Sequence, residues 1–213
     1  MRKILIIILI AISLSAWGTK YYVATTGNDG TGDGSIGTPW ATWQKGFSEL
    51  SAGDTLYIRG GTYSPSGTAA GGPVAGVYIS DSDGTSENPI TVLNYPSETP
   101  ILNGVNITDA TTHYGLQLSG CDYWYLKGLT ITNVSDSVGD VAWRAIGYMF
   151  SGTCTNITIE NCISRYNEGP GFAVSGCNAL YFLNCDSYGS YDELRGGENA
   201  DGFVITGGDW TGY

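Results

Sequence analysis

The feature that most constrains this chain is a short segment that returns four times. Gly115-Leu-Gln-Leu-Ser-Gly120, Gly147-Tyr-Met-Phe-Ser-Gly152, Gly171-Phe-Ala-Val-Ser-Gly176 and Gly202-Phe-Val-Ile-Thr-Gly207 each read glycine, apolar, any residue, apolar, Ser/Thr, glycine. A second element follows the first three: Ile131-Thr-Asn133-Val, Ile159-Glu-Asn161-Cys and Phe182-Leu-Asn184-Cys. Apolar residues at alternate positions mark strands with one buried face. The segments start 32, 24 and 31 residues apart, so coil length varies while the strand signature does not. Short strands punctuated by glycine and asparagine at this period predict a solenoid of parallel strands. A β-propeller is the competing repeat architecture, but its blades take ~40–45 residues and four strands each. The expected fold is therefore all-β, a right-handed parallel β-helix, with the hand set by the rule for parallel crossovers.

Equivalent residues of successive coils stack about 4.8 Å apart. Asn133, Asn161 and Asn184 are thus expected to form a ladder inside one bend, each amide bonding the backbone of its neighbour. Cys154 and Cys177 fall at nearly matching coil positions, as do Cys162 and Cys185. Same-facing Cβ atoms at the strand spacing exceed the usual ~3.5–4.5 Å of a disulfide, so an internal ladder of free thiols is the preferred reading. The lone histidine, His113, reads as a surface turn residue. Upstream, Thr38-Pro39 reads as a helix cap and first helical residue, with Trp40, Trp43, Phe47 and Leu50 at helical spacing. This predicts a short capping helix around Trp40–Leu50 that plugs the open end of the solenoid. Gly53 to Ile58 would then give the first coil strand.

Composition narrows the functional classes. Charged residues are only 14% of the chain, with 9 Lys+Arg against 20 Asp+Glu and a net charge of −11. That balance argues against a nucleic-acid partner. Met1-Arg2-Lys3 followed by the apolar run Ile4–Leu14 and by Ala16 and Gly18 reads as a signal peptide, residues 1–18, cleaved before Thr19. An uncleaved anchor is the alternative, but the run is short for a bilayer span of ~20 residues. The mature chain, residues 19–213, would carry −13 and be exported (extracellular or periplasmic), a monomer without membrane attachment. The fourth repeat runs straight to Thr211-Gly-Tyr213 with nothing that reads as a solenoid cap. The β-helix is thus expected to be C-terminally incomplete.

Chemistry points to one residue. Tyr114, Ile146, Pro170 and Asp201 precede the four strand-opening glycines, and only the last is acidic. A carboxylate at a strand edge beside a polar insertion, Tyr188 to Asn199, is how a solenoid can build a site. An Asx turn, with Asp201 bonding its own backbone, is the alternative.

The run Asn184-Cys-Asp-Ser-Tyr188, Asp192 and Asn199-Ala-Asp-Gly-Phe203 resembles the pectate lyases of polysaccharide lyase family nine. So do Tyr21-Tyr-Val, Asn28-Asp-Gly30, Pro39-Trp-Ala-Thr-Trp43, Gly53-Asp-Thr-Leu-Tyr-Ile58, Gly60-Gly-Thr-Tyr63 and Asn88-Pro-Ile-Thr-Val92. The resemblance implies a secreted enzyme that cleaves polyuronate by β-elimination, with Ca2+ as cofactor and an acidic polysaccharide as partner. It makes Asp201 one calcium ligand and places the other ligands and the lysine base beyond Tyr213. No catalytic residue is then expected within the chain, and this stretch alone would be inactive. Two other classes stay open on the same fold. An inverting glycoside hydrolase would use paired aspartates, and the chain has no Asp-Asp pair. A non-catalytic carbohydrate-binding or adhesin solenoid would need only the aromatic outer face.

Overall fold

The computed structural model describes residues 18–66, 74–107, 113–135, 145–191, 197 and 200–207; the leader Met1–Gly18 therefore lies almost wholly outside them. The strands are β1 Lys20–Val23, β2 Thr55–Ile58, β3 Gly61–Tyr63, β4 Val74–Ser80, β5 Ile90–Asn94, β6 Pro100–Asn103, β7 His113–Ser119 and β8 Trp124–Lys127, continuing with β9 Thr130–Thr132, β10 Ala145–Ser151, β11 Thr155–Glu160, β12 Ile163–Arg165, β13 Phe172–Ser175, β14 Asn178–Leu183, β15 Asp186–Tyr188 and β16 Phe203–Thr206. The helix α1 spans Trp43–Ser48. Strands pair in parallel into three sheets: β1-β2-β5-β8-β11-β14, β3-β6-β9-β12-β15 and β4-β7-β10-β13-β16. The chain visits the first, second and third sheet in turn and begins again, which is the predicted β-helix. None of the described helices is long and apolar enough to cross a membrane.

The repeat signature has a physical reading at every position. Its first apolar residue builds an interior column, Val77–Leu116–Tyr148–Phe172–Phe203. Tyr148, Phe172 and Phe203 stack face to face with centroids 4.7 Å apart, close to the strand spacing itself. The Tyr148 hydroxyl donates to the Leu129 carbonyl at 2.8 Å, and full burial holds its phenol well above the ordinary range. The closing glycine turns the corner in the left-handed region, as Gly120 (φ 62°) and Gly152 (φ 73°) show. The structure adds a fifth copy, Gly76 to Asp81, in register with the others. Asp81 turns that corner at φ 52°, a conformation aspartate tolerates, so the copy lacks the closing glycine.

The asparagine ladder is real but differently composed. Asn161 (φ 52°) and Asn184 (φ 50°) turn the corner after the first sheet, above Gly128 (φ 70°). Asn133 turns the next corner, in line with Tyr166 and Gly189. The amides are exposed and bond one another rather than backbone: Asn184 Nδ2 donates to Asn161 Oδ1 at 2.6 Å, and Asn133 Nδ2 to Asn103 Oδ1 at 3.1 Å. Each suits a corner where an L-residue must adopt positive φ.

All five cysteines are free, as expected. Cys121 joins Cys154 and Cys177 in one stack, its N–H donating to Cys154 Sγ at 3.2 Å. Burial pushes the Cys162 thiol up to about 12. His113 is not a surface residue: it is 1% exposed, with Nδ1 2.6 Å from the Ser135 carbonyl oxygen.

The capping helix exists but starts later than the Thr38-Pro39 pair suggests. Thr42 is the cap, its hydroxyl accepting from Lys45 N–H at 3.1 Å. Asp29 fixes that start by accepting from the N–H groups of Ala41 and Thr42 and from the Thr42 hydroxyl. Trp40 lies in a bridge beside Val23 and stacks on Tyr21 at 5.0 Å. Trp43 and Phe47 are buried at the solenoid end, and Phe47 stacks on Trp124. The first coil strand is β1, ahead of the expected Gly53–Ile58 segment. Its free edge pairs with the residue 34–40 loop through Tyr22 N–H to Gly34 O and Trp40 N–H to Tyr22 O. Gln44 covers the edge of β4, its amide donating to Tyr78 O at 3.2 Å and accepting from Tyr78 N–H at 2.7 Å. Both devices remove unpaired edges.

Candidate functional site

Asp201 stands at the entry to the third sheet, on the corner that follows the second. The column beneath it is Pro170, Ile146, Tyr114 and Ala75. Ala75, Ile146 and Pro170 are buried, whereas Asp201 is exposed. Its main chain keeps the coil register: its carbonyl accepts from Gly171 N–H at 2.9 Å, and Gly202 O accepts from Phe172 N–H at 3.0 Å. Its carboxylate makes no hydrogen bond to another described residue, so the backbone bond of an Asx turn is absent. Of the insertion, Tyr188 to Tyr191 and Gly197 are described, and Tyr191 N–H donates to Asn167 O at 3.0 Å; Asp192 and Asn199 lie outside the described residues.

No three His, Cys, Asp or Glu side chains among the described residues converge on one point. They do not by themselves make a calcium site, which takes six to eight oxygens. Asp201 fits as one contributor of a hard anionic oxygen. A cavity of about 490 Å³ lies at the other end of the solenoid, lined by Trp43, Tyr63, Ser64 and Leu102 among others. Among the described residues no carboxylate borders it, and Asp201 does not line it.

The corner carries residues that inspection of the repeats missed. Arg165 and Tyr188 are in register on the second sheet, and Tyr166 follows at the turn. The offset that places Asn184 over Asn161 also places Tyr188 over Arg165, so the pairing was readable once the ladder was correctly composed.

Comparison with known proteins agrees with this architecture. Residues 21–211 match the model described as "Pel9A-like, right handed beta helix region". Pectate lyase PEL9 of Emericella nidulans is 28% identical over 204 residues, covering 90% of this chain and 44% of the relative. Pectate lyase L of Dickeya dadantii is 27% identical over 187 residues, covering 86% and 40%. The chain thus spans less than half the length of these relatives. The crystal structure of pectate lyase Pel9A superposes with a TM-score of 0.69 at 23% identity, over 89% of this chain and 45% of that one. On the strength of a match that runs almost from end to end of the described coils, the chain belongs to the Pel9A-like right-handed β-helix family.

Proposed function

We propose that this polysaccharide-active β-helix is the N-terminal part of an exported, calcium-dependent lyase that cleaves polyuronate by β-elimination. The observation that carries the reading is Asp201: an exposed carboxylate without a side-chain partner among the described residues, in a column otherwise filled by apolar residues and proline. A structural aspartate in a turn would spend its oxygens on nearby N–H groups; this one bonds none of those among the described residues. Its role is to offer an anionic oxygen at the rim, towards a cation completed by oxygens outside the described residues. Calcium, when bound there, would neutralise the uronate carboxylate and acidify the adjacent C5 proton. This accounts for how a chain of net charge −11 holds a polyanion. The base that takes the C5 proton, with the C4 oxygen as leaving group, is assigned to no residue of this chain. Export rests on the Met1–Gly18 leader, and the polyuronate class on the names of the relatives.

The test is Asp201→Asn in the full-length protein. Calcium affinity by calorimetry is expected to fall, because ligand charge sets that affinity, while the thermal midpoint in chelator stays unchanged. Calcium-dependent release of unsaturated oligouronides from polygalacturonate is expected to fall with it. Unchanged calcium affinity would remove Asp201 from the site. Saccharide binding without products would make the protein a binding solenoid, and reducing ends without unsaturation a hydrolase.

A further inference from the structure

We propose that Arg165, framed by Tyr166, Tyr188 and Tyr191, binds the carboxylate of a uronate sugar on the corner that also carries Asp201. Arg165 is the outward residue of β12, its neighbour Ser164 being wholly buried in the interior. Tyr188 lies one coil above in register, and Arg165 Nη1 donates to its hydroxyl at 3.2 Å. The guanidinium lies 5.8 Å from the centre of the Tyr166 ring, and the Tyr166 and Tyr188 rings meet edge to face at 5.9 Å. These hold the fork in place through a neutral hydrogen bond and a cation–π contact. Tyr166, Tyr188 and Tyr191 are 55%, 43% and 55% exposed, so their ring faces are open to a ligand.

Charge separates Arg165 from three of the other described cations; Lys20, exposed at the start of β1, is the fourth and has no ion pair among the described residues either. Lys45, Arg59 and Lys127 are each neutralised by a glutamate, at 2.5, 2.7 and 2.7 Å. Arg165 has no carboxylate partner among the described residues, and its Nε is buried without a hydrogen-bond acceptor. In so acidic a chain, an arginine with no carboxylate among the described residues leaves its accessible N–H groups for an anion from outside. The planar fork matches a carboxylate in two parallel bonds. The tyrosine faces, negative at their centres, suit the C–H faces of a pyranose ring. Both requirements are met by one ligand, a sugar carrying a carboxylate. The corner geometry places it near Asp201: Pro170, directly beneath Asp201, follows Arg165 in the same short turn, and Tyr191 sits above Asn167 of that turn.

The choice of uronate rests on the proposed function, so the test separates the two. Calorimetry in chelator, with the full-length protein, compares a galacturonate oligomer with a neutral galactose oligomer of equal length. The wild type is expected to bind the galacturonate oligomer without calcium. Arg165→Gln should weaken that binding about ten-fold, the scale of one charge-assisted pair, and leave the neutral oligomer unaffected. Tyr188→Ala should weaken both. Arg165→Lys, which keeps the charge and loses the fork, should fall between and carries the test if Arg165→Gln fails to fold. Equal affinity of wild type and a folded Arg165→Gln, or no calcium-independent binding by the wild type, overturns the proposal. Arg165-dependent binding in a protein that never cleaves polygalacturonate would sustain this site and refute the lyase reading.

Discussion

Gly147 is the position where the packing of the coils is most exposed to test. An alanine Cβ there would lie 2.0 Å from Ser164 Oγ, 2.6 Å from the Gly171 carbonyl oxygen and 3.0 Å from Asn167 Nδ2. None of these can step aside freely. Ser164 and Asn167 are wholly buried; Asn167 Nδ2 donates to Ser164 Oγ at 2.9 Å, and Asn167 Oδ1 accepts from Val134 N–H at 2.9 Å. The Gly171 oxygen is the ladder acceptor for Tyr148 N–H at 2.9 Å. Overpacking costs about 1–3 kcal/mol and a lost buried hydrogen bond about 1–3 kcal/mol more, so Gly147→Ala should destabilise by about 2–6 kcal/mol. At ~2–4 °C per kcal/mol for a domain of this size, the thermal midpoint should drop by on the order of 10 °C. Gly202, at the same coil position, is the control: its nearest non-neighbouring atom to an added Cβ is Ser187 Cβ at 3.5 Å. Gly202→Ala should be neutral or stabilise by up to ~1 kcal/mol through the unfolded chain. The double variant Gly147→Ala/Ser164→Gly should recover only part of the loss, because the carbonyl contact persists. Calorimetric melts of the full chain would refute the close-approach argument if Gly147→Ala and Gly202→Ala had equal midpoints.

Two further outcomes follow from the same coordinates. Gln44→Ala removes both partners of the Tyr78 main chain and bares an edge strand; a loss of about 1–3 kcal/mol in urea titration and faster aggregation are expected, and a silent substitution would show that Gln44 does not guard the edge. With all five cysteines free and only Cys185 partly exposed, iodoacetamide should label Cys185 first in the native protein and every thiol after denaturation. Thiols that resist alkylation in denaturant until a reductant is added would instead reveal disulfides.

The four visible copies of the glycine-bounded strand were enough to establish a parallel solenoid and which residues face its interior, because period-two alternation is a property of each strand by itself. The ladder of free thiols followed from the stacking of coils. What sits above what is another matter, since it depends on how many residues each corner consumes. Asn133 looked like the partner of Asn161 yet turns a different corner, and Asp81 hides a fifth repeat because it occupies a left-handed corner usually given to glycine. His113, polar and alone, is buried because the strand carries it inward and the Ser135 carbonyl receives it. Thr42 displaced Thr38 as the helix cap because Asp29, far away in sequence, grips the Ala41 and Thr42 N–H groups. That Arg165, unlike Lys45, Arg59 and Lys127, meets no carboxylate among the described residues emerges only once stacked coils show which cations have found one. Local pattern settles the direction of a side chain; the partner that side chain meets is decided by the register between coils, which only tertiary packing determines.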